Sequence, residues 1–129
     1  MPHLTIEYSA NLQDEGNLTD LCRALHAALL STGLCELGAV RVRALPCPHY
    51  AVADLLPQNA FAAMILRVGA GRALADQQRM GEAVMAAATA HFADLLAQPY
   101  FALSLDIMEN DPARSWKVNS IHPRLRTSG

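Results

Sequence analysis

Aromatic residues are scarce in this sequence, at 5%, and its three cysteines, Cys22, Cys35 and Cys47, form no CxxC pair. A disulfide framework or a structural zinc site needs paired, regularly spaced cysteines, so reduced thiols acting as small apolar filler are the economical reading. A surplus of positive charge is missing too. Ten basic against twelve acidic residues give a net charge of −2, which removes the electrostatic ground for a nucleic-acid partner. The third apolar segment also lacks the aromatic-rich pattern of RNA-binding strands. No apolar run reaches the about 18 residues of a membrane-spanning helix, and Met1–Glu7 show no basic stretch leading into a long apolar one. No membrane partner is therefore expected, and the cytoplasm is the expected location. The five histidines, His3, His26, His49, His91 and His122, show no metal-ligand spacing, so no metal site is expected. Hydrolase signatures such as GxSxG and HExxH are also absent.

What is present is a dense apolar pattern. In 129 residues, 52% are hydrophobic and 17% charged, which excludes disorder and fits one domain spanning 1–129. Leu4, Ile6 and Tyr8 alternate with His3, Thr5 and Glu7, a strand with one buried face. Asn17 precedes Leu18-Thr19-Asp20 as a helix N-cap in a near capping-box arrangement. Leu18, Leu21, Cys22, Leu25, Ala28 and Leu29 follow at helical spacing, and Gly33 sits where a glycine ends a helix. Val40, Val42 and Ala44 alternate with Arg41, Arg43 and Leu45 as a second strand. A proline-punctuated loop from Pro46 to Asn59 comes next, long enough to expect a functional or interface role.

The order then recurs. Phe61–Val68 reads as a nearly continuous apolar strand stopped by Gly69-Ala70-Gly71. A helix over 73–97 carries the stripe Met80, Val84, Ala88, His91 or Phe92, and Leu95, and Pro99 closes it. Phe101–Met108 forms the fourth strand. The chain is thus an α/β (α+β) protein of two strand–helix–strand pseudo-repeats, about 2–45 and 61–108, with a four-stranded mixed sheet and two helices on one face. The third strand is apolar on both sides, a pattern of sheets covered on both faces. No further helix is available to cover the second face, so an oligomer is expected. In the tail, 109–129, Trp116, Val118 and Ser120 alternate with Lys117, Asn119 and Ile121. That alternation fits a short strand pairing with a neighbouring subunit, and Arg124–Gly129 is expected to fray.

Two groups of residues could carry chemistry. Removal of Met1 would leave Pro2 with a free secondary amine at the start of a strand, its lone pair held in direction by the ring. Burial or nearby guanidinium groups would lower its pKa toward that of an effective base. Arg41, Arg43, Arg67 and Arg72 lie on or just after strands, and Arg41 and Arg43 share a face. Guanidinium groups clamp carboxylates in a fork and stay charged, which suits a small polycarboxylate. Gly69-Ala70-Gly71-Arg72 between a strand and a helix invites a phosphate-loop reading, but position 74 is Leu74 and no Lys-Ser/Thr pair follows. Strand–helix–strand twice is also the order of ferredoxin-like domains, whose repeats interleave, so a non-catalytic ligand-binding or oligomeric interaction module is the alternative.

Pro2-His3, Glu7, Ser9-x-Asn11, Thr32-Gly33, Arg41-x-Arg43, Ala53-Asp54, Ala60-Phe61, Gly69-Ala70-Gly71-Arg72, Thr89-x-His91-Phe92, Ala102-Leu103-Ser104 and Lys117-x-Asn119, in this order from Pro2 to about His122, resemble the 5-carboxymethyl-2-hydroxymuconate isomerase family of the tautomerase superfamily. The resemblance implies a tautomerase-like tandem βαβ fold, a homotrimer, and isomerisation of a dienol polycarboxylate in homoprotocatechuate breakdown. It implies Pro2 as catalytic base, with Arg41 and Arg72 in catalytic roles and Arg43 and Arg67 binding substrate, and no metal or organic cofactor. Pro46–Tyr50, Leu55–Asn59 and Ala63, where the family carries histidine, depart from its pattern.

Overall fold

The computed structural model describes residues 2–127. Four strands, β1 (His3–Ser9), β2 (Arg41–Cys47), β3 (Ala60–Gly69) and β4 (Phe101–Asn110), form one sheet in the order β2-β1-β3-β4. β1 pairs with β2 in parallel and β3 with β4 in parallel, while the two halves join through the antiparallel β1–β3 seam. Each strand–helix–strand unit therefore keeps its own strands together. That topology eliminates the interleaved ferredoxin-like alternative.

Alternation along the strands divides the sheet into two faces. Leu4, Ile6 and Tyr8 of β1 and Ala62, Met64, Leu66 and Val68 of β3 are buried on one face. Against them lie two helices, α1 (Leu18–Ser31) and α2 (Leu74–His91), through Leu21, Leu25 and Leu29 and through Met80, Val84 and Ala88. Both triplets are spaced four residues apart, so each forms one stripe along its helix. Full burial of a leucine here contributes about 1.5–3 kcal/mol relative to exposure. On the other face, away from α1 and α2, Phe61, Ala63 and Ile65 remain half-buried.

Several expected boundaries shift for physical reasons. Asn17 precedes α1 but caps nothing with its side chain; it turns the chain through φ 48°, a left-handed conformation that asparagine tolerates well. Gly33, at φ 72°, ends the helix as anticipated. β2 runs on through Pro46, which an edge strand accepts because its missing N–H costs no ladder bond. The helix expected over 73–97 breaks at Phe92 (φ −96°, ψ 22°), leaving the single turn α3 (Ala93–Leu96). Phe92 is buried, with ring centroids 4.9 Å from Phe101 and 4.9 Å from His91. Packing of that ring overrides the helical propensity around it. At the start of β3, the Ala60 N–H donates to the Tyr100 carbonyl at 2.8 Å.

Buried Ser9 and Asn59 hold the long loop. The Ser9 hydroxyl donates to Asn11 Oδ1 (2.6 Å) and accepts from the Phe61 N–H (3.0 Å), and Asn11 Nδ2 donates to the Asn59 carbonyl (2.9 Å). Asn59 Nδ2 donates to the Val52 carbonyl and to Asp54 Oδ1. These bonds fix a segment in which Ala53 and Leu55 both take positive φ, 51° and 67°. Such values are costly for side chains with a Cβ and persist only where neighbouring contacts hold them.

The tail departs most from expectation. Residues 115–119 form no strand, and residues 124–127, expected to fray, belong to a helix, α4 (Ile121–Thr127); 128 and 129 lie outside the described residues. Asn119 Oδ1 caps α4 by accepting from the Ile121 and His122 N–H groups. Arg126 grips Glu36 through both carboxylate oxygens, with Nη2–Oε1 at 2.7 Å. His122 Nδ1 lies 2.9 Å from Glu36 Oε2, close enough for charge attraction but without hydrogen-bond geometry.

Arg126 and, more weakly, His122 hold the Glu36 carboxyl below its ordinary value of 4.5. A carboxyl with a lower pKa folded than unfolded stabilises above the unfolded value and ceases to do so as pH falls through the folded one. Protection of the α4 amides, taken relative to their intrinsic exchange rates at each pH, should accordingly fall below pH 4.5, and added salt should have the same direction of effect at neutral pH. Protection unchanged on acidification would show that the Glu36 pair does not hold the helix.

Candidate active site

The pairing pattern brings four strand ends to one edge of the sheet. β1 and β2 begin there, and β3 and β4, antiparallel to them, finish there. In the register His3 faces Arg41 on one side and Arg67 on the other, and Arg67 faces Met108, so these four residues form one row across the sheet. All lie on the face away from α1 and α2. Pro2 precedes this row. Its ring is fully buried, and its carbonyl accepts from the Arg41 N–H at 3.2 Å, extending the β1–β2 ladder by one residue.

Above the row is a cavity of about 610 Å³ whose lining includes His3, Arg41, Arg67, Arg114 and Lys117. Arg41 Nη1 is 3.0 Å from His3 Nε2. A guanidinium can only donate, so Nε2 is the acceptor and the imidazole proton sits on Nδ1. Burial, then the charges of Arg41 and Arg43, hold the His3 pKa below its ordinary value of 6.5, favouring this neutral form. Arg114 is neutralised by Asp111 at 3.0 Å, and Glu109 accepts a hydrogen bond from Gln77. Among the described residues, no carboxylate lies within ion-pairing distance of Arg41, Arg67 or Lys117. The cavity therefore presents three cations outside any ion pair against one such carboxylate, Glu109; its lining is positive on balance and favours an anion.

The other expected residues lie around this cavity rather than in it. Arg43 is two positions along β2, opposite Thr5, and reaches His3 only through its charge. Arg72 follows Gly71, whose φ of 96° turns the chain out of β3. Its carbonyl accepts from Gln77 Nε2, and its guanidinium partly offsets the upward push that burial gives the Cys35 thiol pKa. His3 and Lys117 were missed as pocket residues by sequence reasoning. For His3 the signal was available, because alternation places it on the same face as Thr5 and Glu7. Lys117, far along the chain, stood only in the family-like Lys117-x-Asn119 and as the sole lysine, neither of which places it in a pocket.

A family model described as 5-carboxymethyl-2-hydroxymuconate isomerase matches residues 2–125. The chain belongs to the 5-carboxymethyl-2-hydroxymuconate isomerase family. It is 34% identical over 122 residues to the 5-carboxymethyl-2-hydroxymuconate Delta-isomerase of Escherichia coli, covering 95% of this chain and 97% of that protein. It also resembles the crystal structure of a 5-carboxymethyl-2-hydroxymuconate isomerase from Deinococcus radiodurans R1, with 39% identity, a TM-score of 0.91, and coverage of 97% of this chain and 94% of the other. A fused 4-OT solved as a symmetric trimer shares the fold at 19% identity and a TM-score of 0.58, over 89% of this chain and 94% of that one. The protein is thus an isomerase, built as a four-stranded mixed sheet with α1 and α2 packed on one face. Among the described residues no helix is long and apolar enough to cross a membrane.

Proposed function

We propose that this isomerase converts the dienol form of 5-carboxymethyl-2-hydroxymuconate into its 2-oxo tautomer, with the Pro2 amine as the proton carrier. While Met1 is attached, the Pro2 nitrogen is an amide and has no basicity. Removal of Met1 makes it a secondary amine one residue from His3, whose imidazole lines the cationic cavity. Nearby positive charge and burial both disfavour the ammonium form and lower the amine pKa toward the working pH.

In the reaction the amine takes the hydroxyl proton, the oxygen becomes a carbonyl, and the two conjugated double bonds collapse to one shifted along the chain. The same amine then returns the proton to the carbon at the far end of the former diene, so atoms and charge balance. Arg41 and Arg67 anchor carboxylates, with Arg43 adding charge at the rim. Arg41 stabilises the negative charge that grows on the oxygen side as the proton leaves, and Arg72, beside the cavity rather than in its lining, adds its charge from there. The proton carrier and the cations account for the whole reaction, with no metal or organic cofactor.

The observation that carries this reading is the cavity, positive on balance, that His3, the residue after Pro2, lines together with Arg41, Arg67 and Lys117. On this reading the enzyme acts in the cytoplasm in homoprotocatechuate breakdown. Copies associate as a homotrimer, for which the half-buried Phe61, Ala63 and Ile65 face and the trimeric fold relative are the support. An ultraviolet assay of enol-to-keto conversion, run side by side on 5-carboxymethyl-2-hydroxymuconate and on the monocarboxylate phenylenolpyruvate, tests the function. The tricarboxylate should have the larger kcat/KM. No conversion of either compound by protein whose intact mass shows Met1 removed would overturn the proposal.

A further inference from the structure

Lys117 stands apart from the arginines around it. It comes from the irregular segment between β4 and α4, yet it lines the same cavity as Arg41 and Arg67, and its charge reaches His3. Its neighbour two residues on is firmly tethered. Asn119 Nδ2 donates to the Gly38 carbonyl at 3.0 Å while Asn119 Oδ1 caps α4. Gly38 itself sits directly under that helix. A Cβ there would lie 2.7 Å from His122 Nδ1 and 3.3 Å from His122 Cα, so a side chain at 38 would displace the His122 ring and crowd the α4 backbone. That turn leads straight into β2 and Arg41. One strut therefore fixes both the strand that begins with Arg41 and the segment that carries Lys117.

We infer that Lys117 is a carboxylate-binding residue of this site, delivered by the C-terminal segment to hold the third carboxylate of a tricarboxylate substrate. The inference rests on the polycarboxylate reading above and extends it to a residue outside the sheet. The placement supports it: Arg41, Arg67 and Lys117 line one cavity and none of them is in an ion pair among the described residues, while the Glu109 carboxylate in the same lining is held by Gln77. Arg41 and Arg67 flank His3 in the sheet floor, whereas Lys117 enters from the wall, so the three do not compete for one carboxylate. Arg114, from the same segment, is already occupied by Asp111. A lysine ammonium also accepts an anion from several directions, unlike the planar fork of an arginine.

The test uses a ligand that binds without turning over. Propane-1,2,3-tricarboxylate should bind the wild-type enzyme in isothermal titration and bind Lys117→Ala about 10-fold or more weakly, the loss expected for a hydrogen bond between charged groups. Lys117→Arg should recover most of that affinity. In the kinetic arm, the preference for 5-carboxymethyl-2-hydroxymuconate over phenylenolpyruvate should fall by a similar factor in Lys117→Ala, through KM rather than kcat. Titrations that match for wild type and Lys117→Ala, or an equal loss on the mono- and tricarboxylate substrates, would overturn the assignment. Because the titration needs no turnover, a weakened Lys117→Ala in an enzyme inactive on both substrates would sustain the site and refute only the reaction.

Discussion

Pro2→Ala should lower kcat/KM by about two to four orders of magnitude, the range expected when a positioned acid–base group is disabled. Alanine still offers an amine after Met1 is removed, so the loss would measure positioning rather than the mere presence of nitrogen. The proline ring fixes the direction of the lone pair, and here the ring is fully buried while its carbonyl is tied to the Arg41 N–H. An alanine amine would rotate about the bond that the ring locks, and it would be primary, with a more strongly hydrated ammonium form. Some loss of packing is expected too, so a thermal unfolding curve must show the variant folded at the assay temperature. A second variant sharpens the result: protein that retains Met1, verified by mass, has an amide at Pro2 and should be inactive although its packing is intact. Undiminished turnover in either would remove Pro2 from the chemistry.

Arg41→Ala should cost about 100- to 1,000-fold in kcat/KM, comparable to deleting one donor that stabilises developing negative charge. Its guanidinium is held by His3 Nε2 at 3.0 Å, lines the cavity and is in no ion pair with a carboxylate among the described residues. Arg41→Lys keeps the charge but loses the fork, so it should fall between the two. His3 provides a readout that does not depend on turnover. Arg41 is one of the charges that keep its pKa below 6.5, and its removal should let the imidazole titrate closer to that ordinary value in an NMR experiment. An unchanged His3 titration would show that the Arg41–His3 contact does not form in solution, and unchanged kinetics would place substrate elsewhere.

The elements that could be read from the sequence are those specified by local periodicity. Leu4, Ile6 and Tyr8 mark β1, and Leu21–Leu25–Leu29 and Met80–Val84–Ala88 mark the two helices that cover the sheet. Pairing could not be read in this way, because tandem and interleaved sheets present the same alternation to a single chain. The break at Phe92 was hidden for a related reason: it is set by contact with Phe101 across the fold, and Phe92 fits the helical stripe as well as any residue. In the tail, alternation around Trp116 mimicked a strand, while the actual organiser, Asn119, acts through two amides and the distant Gly38 carbonyl. The site divides likewise. Arg41 and Arg67 share the cavity because both follow strand alternation, whereas Arg72 comes after a left-handed glycine that redirects the chain.

The seam between β1 and β3 joins two similar halves, but copying a segment of polypeptide does not copy its origin. The strand that opens the second half begins at Ala60, whose nitrogen is already spent on the Tyr100 carbonyl. If the chemistry belongs to a terminal amine, fusing two such units into one chain sacrifices one centre for each that it keeps. The second half then supplies no proton carrier and contributes walls, charge and contacts to the first.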